Sequence, residues 1–331
     1  MSLDQAVAAL VAGDVVGLPT ETVYGLAADA GNRDAVEKIY RIKGRPPDHP
    51  LIVHVLDVAR AREWGVWNDA AQRLADVFWP GPLTIVLRRL NDAPPWACAG
   101  HETIALRCPS HPVAREVLAR LRPLGVTGLA APSANRFGRV SPTSAAHVRA
   151  DVGDEVPIVL EGGPARVGIE STIVDLSRDR PYLLRPGHVS ADAIAEVLAK
   201  PVAAADVEAP RVSGSLASHY APSKPLRLIG VQELHQALAA ALSAGQRVAV
   251  WSVRCPRQLM GAGGSGADAA AVAGLTWRAR PSSVAEVERD LYRMMRELDA
   301  AQVDLILVES PPQDPAWAAV NDRLQRAAAP R

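Results

Sequence analysis

The sequence of 331 residues predicts a mixed α/β fold, a twisted sheet with helices followed by a smaller α/β domain. Three observations predict it. Short apolar runs alternate with amphipathic helical stretches through the first two hundred residues. A segment rich in Ala, Pro, Ser and Gly, without clear periodicity, then spans 201–225. Beyond it the strand–helix order starts afresh. The chain therefore divides into a first domain over 1–200, a linker over 201–225 and a second domain over 226–331.

The N-terminus has no basic leader and carries Asp4 and Asp14. Residues 3–11 read as a helix closed by Gly13, not as a signal peptide. Strands are expected over 15–18, 51–55, 83–87, 103–107, 126–130, 158–160, 171–176 and 182–185. Helices are expected over 35–42, 70–77, 112–121 and 144–150, with 191–198 closing the domain. Ser110 suits the cap of the third, and Ser141 or Thr143 that of the fourth. Connections vary in length, which favours a mixed sheet over a regular parallel one. In the second domain, strands over 226–229, 247–253 and 305–308 combine with helices over 231–242, 283–300 and 316–328. This βαβ-like order predicts a small Rossmann-like unit. Gly261-Ala262-Gly263-Gly264-Ser265-Gly266 fits G-x-G-x-x-G, but Cys255 to Met260 separate it from the preceding strand. A surface loop is expected there rather than a dinucleotide site.

Composition narrows the function. Lys+Arg 36 and Asp+Glu 36 balance, and hydrophobic content is 48%. A chain built mainly for nonspecific nucleic-acid binding would be basic, although a local basic cleft stays possible. Cys98, Cys108 and Cys255 are widely spaced and form no C-x-x-C, so a reducing, cytoplasmic setting is expected. No apolar run is long enough to span a membrane. There is no Walker A motif, since none of the four lysines, Lys38, Lys43, Lys200 and Lys224, follows a glycine.

The most informative stretch runs from Lys43 to His54, K-G-R-P-P-D-H-P-L-I-V-H. It holds two cations and two imidazoles where a helix hands over to a strand. Val36, Ile39 and Tyr40 share one helix face, and Lys43 continues it. Gly44 and Pro46-Pro47 end the helix. Fixed cations at such a junction suit a polyphosphate or carboxylate, and a solvated basic turn fits this stretch equally well. Ala131-Pro132-Ser133-Ala134-Asn135 follows an apolar run, and its small residues let backbone approach a ligand while Ser133 and Asn135 supply polar groups. Alone, it reads more simply as a turn or cap.

Taken with Pro19-Thr20-Glu21-Thr22-Val23-Tyr24-Gly25-Leu26, these motifs closely resemble the YrdC-like family in order and spacing. Lys43 and Arg45 with Ser133 and Asn135 match the family's K-x-R and S-x-N signature. The likeness continues through Glu170 to Asp175 and Leu184 to Gly187, covering about the first two hundred residues. Ser218-His219-Tyr220-Ala221-Pro222 resembles the linker of the family's long-form, two-domain members. The resemblance implies a YrdC-like mixed twisted sheet and synthesis of threonylcarbamoyl-AMP from L-threonine, bicarbonate and ATP. That product serves tRNA threonylcarbamoyladenosine modification through downstream transferase machinery. Direct tRNA contact is left open.

The resemblance also implies roles. Lys43 and Arg45 would face the triphosphate, with Ser133 and Asn135 completing the pocket. Thr22, His54, Arg107 and Ser171 would hold threonine, and Ala131 could offer only backbone groups. Arg107 would clamp the carboxylate in bidentate fashion. His49, Thr103, Ser141, Arg185 and Tyr220 would contact nucleotide. Alternation along 103–107 puts Thr103, Ala105 and Arg107 on one face, so Thr103 is expected to serve the same pocket. The reacting groups are mostly anionic, so charge stabilisation should dominate, with Mg2+ held mainly by ATP phosphates and water.

Two positions depart from the family. Many relatives have Asn at His49, and a histidine's charge there is expected to vary near neutral pH. Leu216-Ala217-Ser218 replace a more basic run before His219-Tyr220, whose closing over the first domain is expected to shield the labile product. An RNA-binding or ribosome-associated YrdC-like module is the alternative, against which zero net charge and 4% aromatic content weigh. A hydrogenase-maturation carbamoyltransferase module would be expected in a larger chain.

Overall fold

The computed structural model describes residues 2–214, 216–255 and 273–330. The run from Gly261 to Gly266 lies outside the described residues. Internal contacts divide the chain into two units. The first is Met1–Phe137 with Ser141–Ser215, and the second is Gly138–Val140 with Leu216–Arg331.

In the first unit, α1 (Leu3–Val11) starts from a capping box of Ser2 and Gln5. β1 (Val16–Leu18) and β2 (Gly25–Asp29) pair antiparallel. α2 (Arg33–Lys43) is capped by Asn32 and closed by Gly44 in the left-handed region, at φ 62. There follow β3 (Ile52–His54), α3 (Val58–Ala61), α4 (Asp69–Phe78), β4 (Leu83–Arg88) and β5 (Thr103–Arg107). Then come α5 (Pro112–Leu121), β6 (Leu129–Ala130), α6 (Ala145–Val152), β7 (Thr172–Asp175), β8 (Tyr182–Arg185), α7 (Ala191–Leu198) and β9 (Ala203–Ala204). The nine strands form one mixed sheet in the order β1-β2-β6-β3-β5-β4-β7-β8-β9.

Strand alternation gives the central strands two unlike faces. Val53, Val55, Leu83, Ile85, Leu87, Ile104, Leu106 and Val174 point into the large core with α2 and α4. The opposite face carries a small apolar patch of Ile52, Val86, Ala105 and Ile173, joined by Val212. His54, Arg107 and Thr84 share the parity of that second face. Polar side chains can stand there because the main core is on the other side.

Several expected elements shift. β2 and β9 were not expected, and the run 126–130 contracts to β6. Residues 158–160 contribute only an isolated bridge between Gly17 and Val159. His111, not Ser110, caps α5, its Nδ1 accepting from the Val113 N–H. Ser144, not Ser141 or Thr143, caps α6. The 201–225 segment is no separate piece. β9 extends the first sheet along β8, while Ala221 bonds the Gly138 carbonyl inside the second unit.

The second unit has β10 (Leu226–Ile229), α8 (Leu234–Ser243), β11 (Val248–Ser252), β12 (Leu275–Ala279), α9 (Val284–Ala300), β13 (Leu305–Glu309) and α10 (Ala318–Ala328). Among the described residues its four strands are all parallel, in the order β10-β13-β11-β12. β12 is an edge strand that the sequence pattern did not announce. α8 packs on Val248, Val250, Leu305 and Leu307.

Gly128 shows how tightly the site strand is held. A Cβ there would lie 2.6 Å from Val53 Cγ1 and 3.2 Å from the Trp64 ring. Gly128→Ala should therefore destabilise the first unit by ~1–3 kcal/mol through overpacking. Urea unfolding followed by tryptophan fluorescence checks this, and an unchanged midpoint would show that Val53 has room to yield.

Candidate active site

Arg107 ends β5, in register with His54 of β3 on one side and Thr84 of β4 on the other. Its Nη2 donates to Glu21 Oε1 at 2.7 Å, its Nη1 to Thr22 Oγ1 at 2.8 Å and its Nε to the Gly81 carbonyl at 3.4 Å. Both members of the Glu21–Arg107 ion pair are almost fully buried. Burial alone would raise the Glu21 pKa. The Arg107 charge, with hydrogen bonds from Arg107 and the Ser110 N–H, overcomes that and holds it below the usual carboxylate range. Guanidinium has five N–H groups, and three are in use. The two left, one on each terminal nitrogen, can take a carboxylate.

The loop after β1 presents Thr22 by a local knot. Thr20 Oγ1 donates to the Val23 carbonyl at 2.6 Å and lies 2.9 Å from Thr22 Oγ1. Beside it, His54 is buried, and desolvation followed by the Arg107 charge pushes its pKa down to about 3. Its Nδ1 faces the Ile52 carbonyl at 3.3 Å. A carbonyl can only accept, so Nδ1 carries the proton and Nε2 is the acceptor.

Ser171 Oγ lies 2.7 Å from Thr84 Oγ1, and Arg185 donates to the Ser171 carbonyl and hydroxyl. Arg185 Nη1 also donates to the Ser213 carbonyl at 2.9 Å, and Arg45 Nη2 to Ser213 Oγ at 3.0 Å and the Pro50 carbonyl at 2.9 Å. A continuous path, Thr84–Ser171–Arg185–Ser213–Arg45, thus joins the Arg107 cluster to the arginine of the K-x-R motif. Ser141 donates to Glu170 Oε1 at 2.6 Å.

Lys43 is not part of a solvated basic turn. It is buried, and its Nζ donates to the Asn135 carbonyl at 2.8 Å and to the Ser133 carbonyl. The S-x-N motif meets Lys43 with backbone oxygens, because a desolvated ammonium requires acceptors. The Asn135 amide turns to the Arg136 carbonyl instead. Burial, then the Arg45 charge, pushes the Lys43 pKa well down, against an opposing pull from Asp151 and Glu170. Ala131 bonds the Ile52 carbonyl through its own N–H.

His49 packs edge-on against Phe137 at 5.5 Å, and Arg45 lies 6.0 Å from the same ring. Desolvation, then the Arg45 charge, pushes the His49 pKa below its ordinary value. Thr103 shares Arg107's face but sits at the far end of β5, about 13 Å away at strand rise, so it is not in the Arg107 cluster. Tyr220 belongs to the second unit, buried at φ 59, with Tyr292 at 5.6 Å and Arg323 at 5.3 Å. Sequence reasoning missed Glu21, Thr84 and Ser213 as site residues. The signal for Glu21 was chemical: an arginine on a strand otherwise buried needs an anion.

Comparison with known proteins adds the following. A family model described as Telomere recombination (Sua5_yciO_yrdC) matches residues 8–187. A second, described as Threonylcarbamoyl-AMP synthase, C-terminal domain, matches residues 189–329. The chain is 38% identical to the Threonylcarbamoyl-AMP synthase of Bacillus subtilis, over 99% of this chain and 93% of that protein. It is 34% identical to that of Pyrococcus abyssi, over 95% and 90%. The fold superposes on a crystal structure of P. abyssi Sua5 complexed with L-threonine with a TM-score of 0.86 and 32% identity, covering 98% of this chain and 94% of that one.

A buried neutral imidazole has a signature in stability. His54 titrates near 6.5 when unfolded and at about 3 when folded, so protons favour the unfolded chain between these values. Its stabilisation is present in full above about pH 6.5 and is lost as pH falls toward 3. His54→Gln should lose less unfolding free energy than the parent between about pH 7 and about pH 4, measured by urea titration. Parallel pH profiles would place a charged or exposed imidazole at this position.

Proposed function

We infer the function from family membership: the chain belongs to the Sua5_yciO_yrdC family, carries the C-terminal domain of threonylcarbamoyl-AMP synthases, and is an enzyme that makes threonylcarbamoyl-AMP. Its substrates include ATP and L-threonine. Full-length likeness to synthases favours catalysis over the RNA-binding alternative. The single observation that carries our reading of the site is the buried Arg107, held by Glu21 with two donors to spare beside a neutral His54.

We propose that Arg107 grips the threonine carboxylate while Thr22, Ser171 and the Ala131 backbone frame the amino acid. His54, with a pKa of about 3, is a poor base at neutral pH, so its Nε2 acts as a hydrogen-bond acceptor that orients the substrate. The threonine amine takes up CO2 or bicarbonate-derived carbon to give a carbamate. A carbamate oxygen attacks the α-phosphorus of ATP and pyrophosphate leaves, which makes the enzyme a nucleotidyltransferase. Lys43, Arg45 and Arg185 offset the charge that builds on the phosphates. Arriving phosphates would restore the Lys43 proton's hold, since an anion opposes the desolvation that lowers its pKa. Ser133, Asn135 and Ser141 shape the nucleotide pocket, with His49 at its rim. ATP must exchange with the Ser213 contacts on Arg45 and Arg185.

The groups around Lys43 are a cation, Arg45, and carbonyls that accept from its ammonium, with Glu170 engaged by Ser141. This set fits Mg2+ held by ATP phosphates and water, where it would supply further charge neutralisation. We further propose that the product passes to tRNA-modifying transferase machinery in the cytoplasm, a setting that suits a chain whose three cysteines are widely spaced, with no C-x-x-C pair.

Incubation with ATP, Mg2+, bicarbonate and radiolabelled threonine tests the reading. Pyrophosphate release should require both threonine and bicarbonate, and release without threonine would defeat it. Lys43→Ala and Arg45→Ala should lower that rate by about 10²–10³-fold while the fold persists. Arg107→Lys should raise the KM for threonine far more than that for ATP, because a point charge replaces a planar fork. Equal effects on both would take Arg107 out of the amino-acid pocket.

A further inference from the structure

The second unit carries a cluster that the reaction does not use. Arg280 follows β12 and Arg254 follows β11, and both turn toward Glu309, the last residue of β13. The contacts are loose. Arg280 Nη2 is 3.7 Å from Glu309 Oε1, and Arg254 Nε is 4.0 Å from Glu309 Oε2. Charge-assisted pairs normally close to about 2.7–2.9 Å. The Arg280 side chain is 3% exposed, yet its Nε has no hydrogen-bond partner, and neither do buried Nε and Nη2 of Arg254 nor Oε2 of Glu309. Guanidinium cannot shed its proton to escape this cost. Two cations and one anion leave a net positive charge with three unused donors.

The place of the cluster in the fold points the same way. β12 lies beside β11 at one edge of the sheet, whereas α10, which follows β13, packs on β10 at the other edge. Open α/β sheets bind ligands outside the carboxyl ends of their strands, which is where Arg254, Arg280 and Glu309 sit. The walls are fixed. Trp277 Nε1 donates to Ser252 Oγ and to the Arg254 carbonyl, both at 3.1 Å, and the Trp317 ring lies 5.6 Å from Arg280.

We propose that the second unit binds a phosphate-bearing small molecule at the carboxyl ends of β11 and β13, with Arg254 and Arg280 gripping its oxyanion in place of Glu309. The planar forks match phosphate oxygens in bidentate fashion. Glu309 is the internal competitor that occupies the cations when the ligand is away.

The Trp277 indole N–H, tied to Arg254, is a local reporter in the full chain. Its NMR signal, assigned by Trp277→Phe, should shift saturably with inorganic phosphate, and do so equally in a Lys43→Ala chain. Arg280→Gln should weaken the response about tenfold or more. Glu309→Gln keeps both guanidiniums and should bind phosphate several-fold more tightly, with a melting temperature that rises as phosphate is added. AMP acting at lower concentration than phosphate would identify a nucleotide as the source, and equal potency would identify free phosphate; either supports the site. A signal that ignores phosphate and AMP, a response to L-threonine alone, or a Glu309→Gln chain that binds no better than the parent overturns it.

Discussion

The first unit depends on the buried ion pair between Glu21 and Arg107. It ties the loop after β1 to the end of β5, two points 86 residues apart in the chain. Burying two charges is costly, and their attraction compensates only when the remaining donors and acceptors are met. Here Glu21 also accepts from the Ser110 N–H and Arg107 also donates to Thr22 and Gly81, which leaves two Arg107 N–H groups for a ligand to meet. Losing one partner of such a pair typically costs ~3–5 kcal/mol, because the other charge is left uncompensated. The Arg107 charge in turn acts on its neighbours. It keeps Glu21 ionised and, with burial, keeps His54 neutral.

The sheet's two faces divide labour around this pair. One face is continuous with the large core that fixes β3, β5, β4 and β7 in register. The other has only a small apolar patch, and the segment around Val212 and Ser213 lies on it. Ser213 holds Arg45 through its hydroxyl and Arg185 through its carbonyl, so one residue fixes two of the cations that the phosphates would need. The polar chemistry is concentrated where hydrophobic packing is thinnest.

Elements with a strong local pattern were legible in the sequence. The strand at Thr103–Arg107 and the helices at Pro112–Leu121 and Ala191–Leu198 fall where alternation or helical periodicity places them. β2 was not, because Gly-Leu-Ala-Ala-Asp lacks the β-branched residues that mark strands, and only pairing with β1 and β6 makes it one. The α5 cap was misplaced by one residue because an imidazole nitrogen at His111 does the work expected of the Ser110 hydroxyl. Site residues were legible as motifs, but their environments were not. Burial of Lys43 and the role of Glu21 both arise from contacts between distant segments, which no local pattern encodes.

The central claim is that Glu21 acts on the substrate only through Arg107. A double-mutant cycle of Glu21→Gln and Arg107→Met, read by calorimetric titration with L-threonine, tests it most directly. The account predicts that each single change weakens threonine binding and that Glu21→Gln adds nothing once Arg107 is gone. Additive losses, with Glu21→Gln costing as much in the Arg107→Met background as alone, would contradict it.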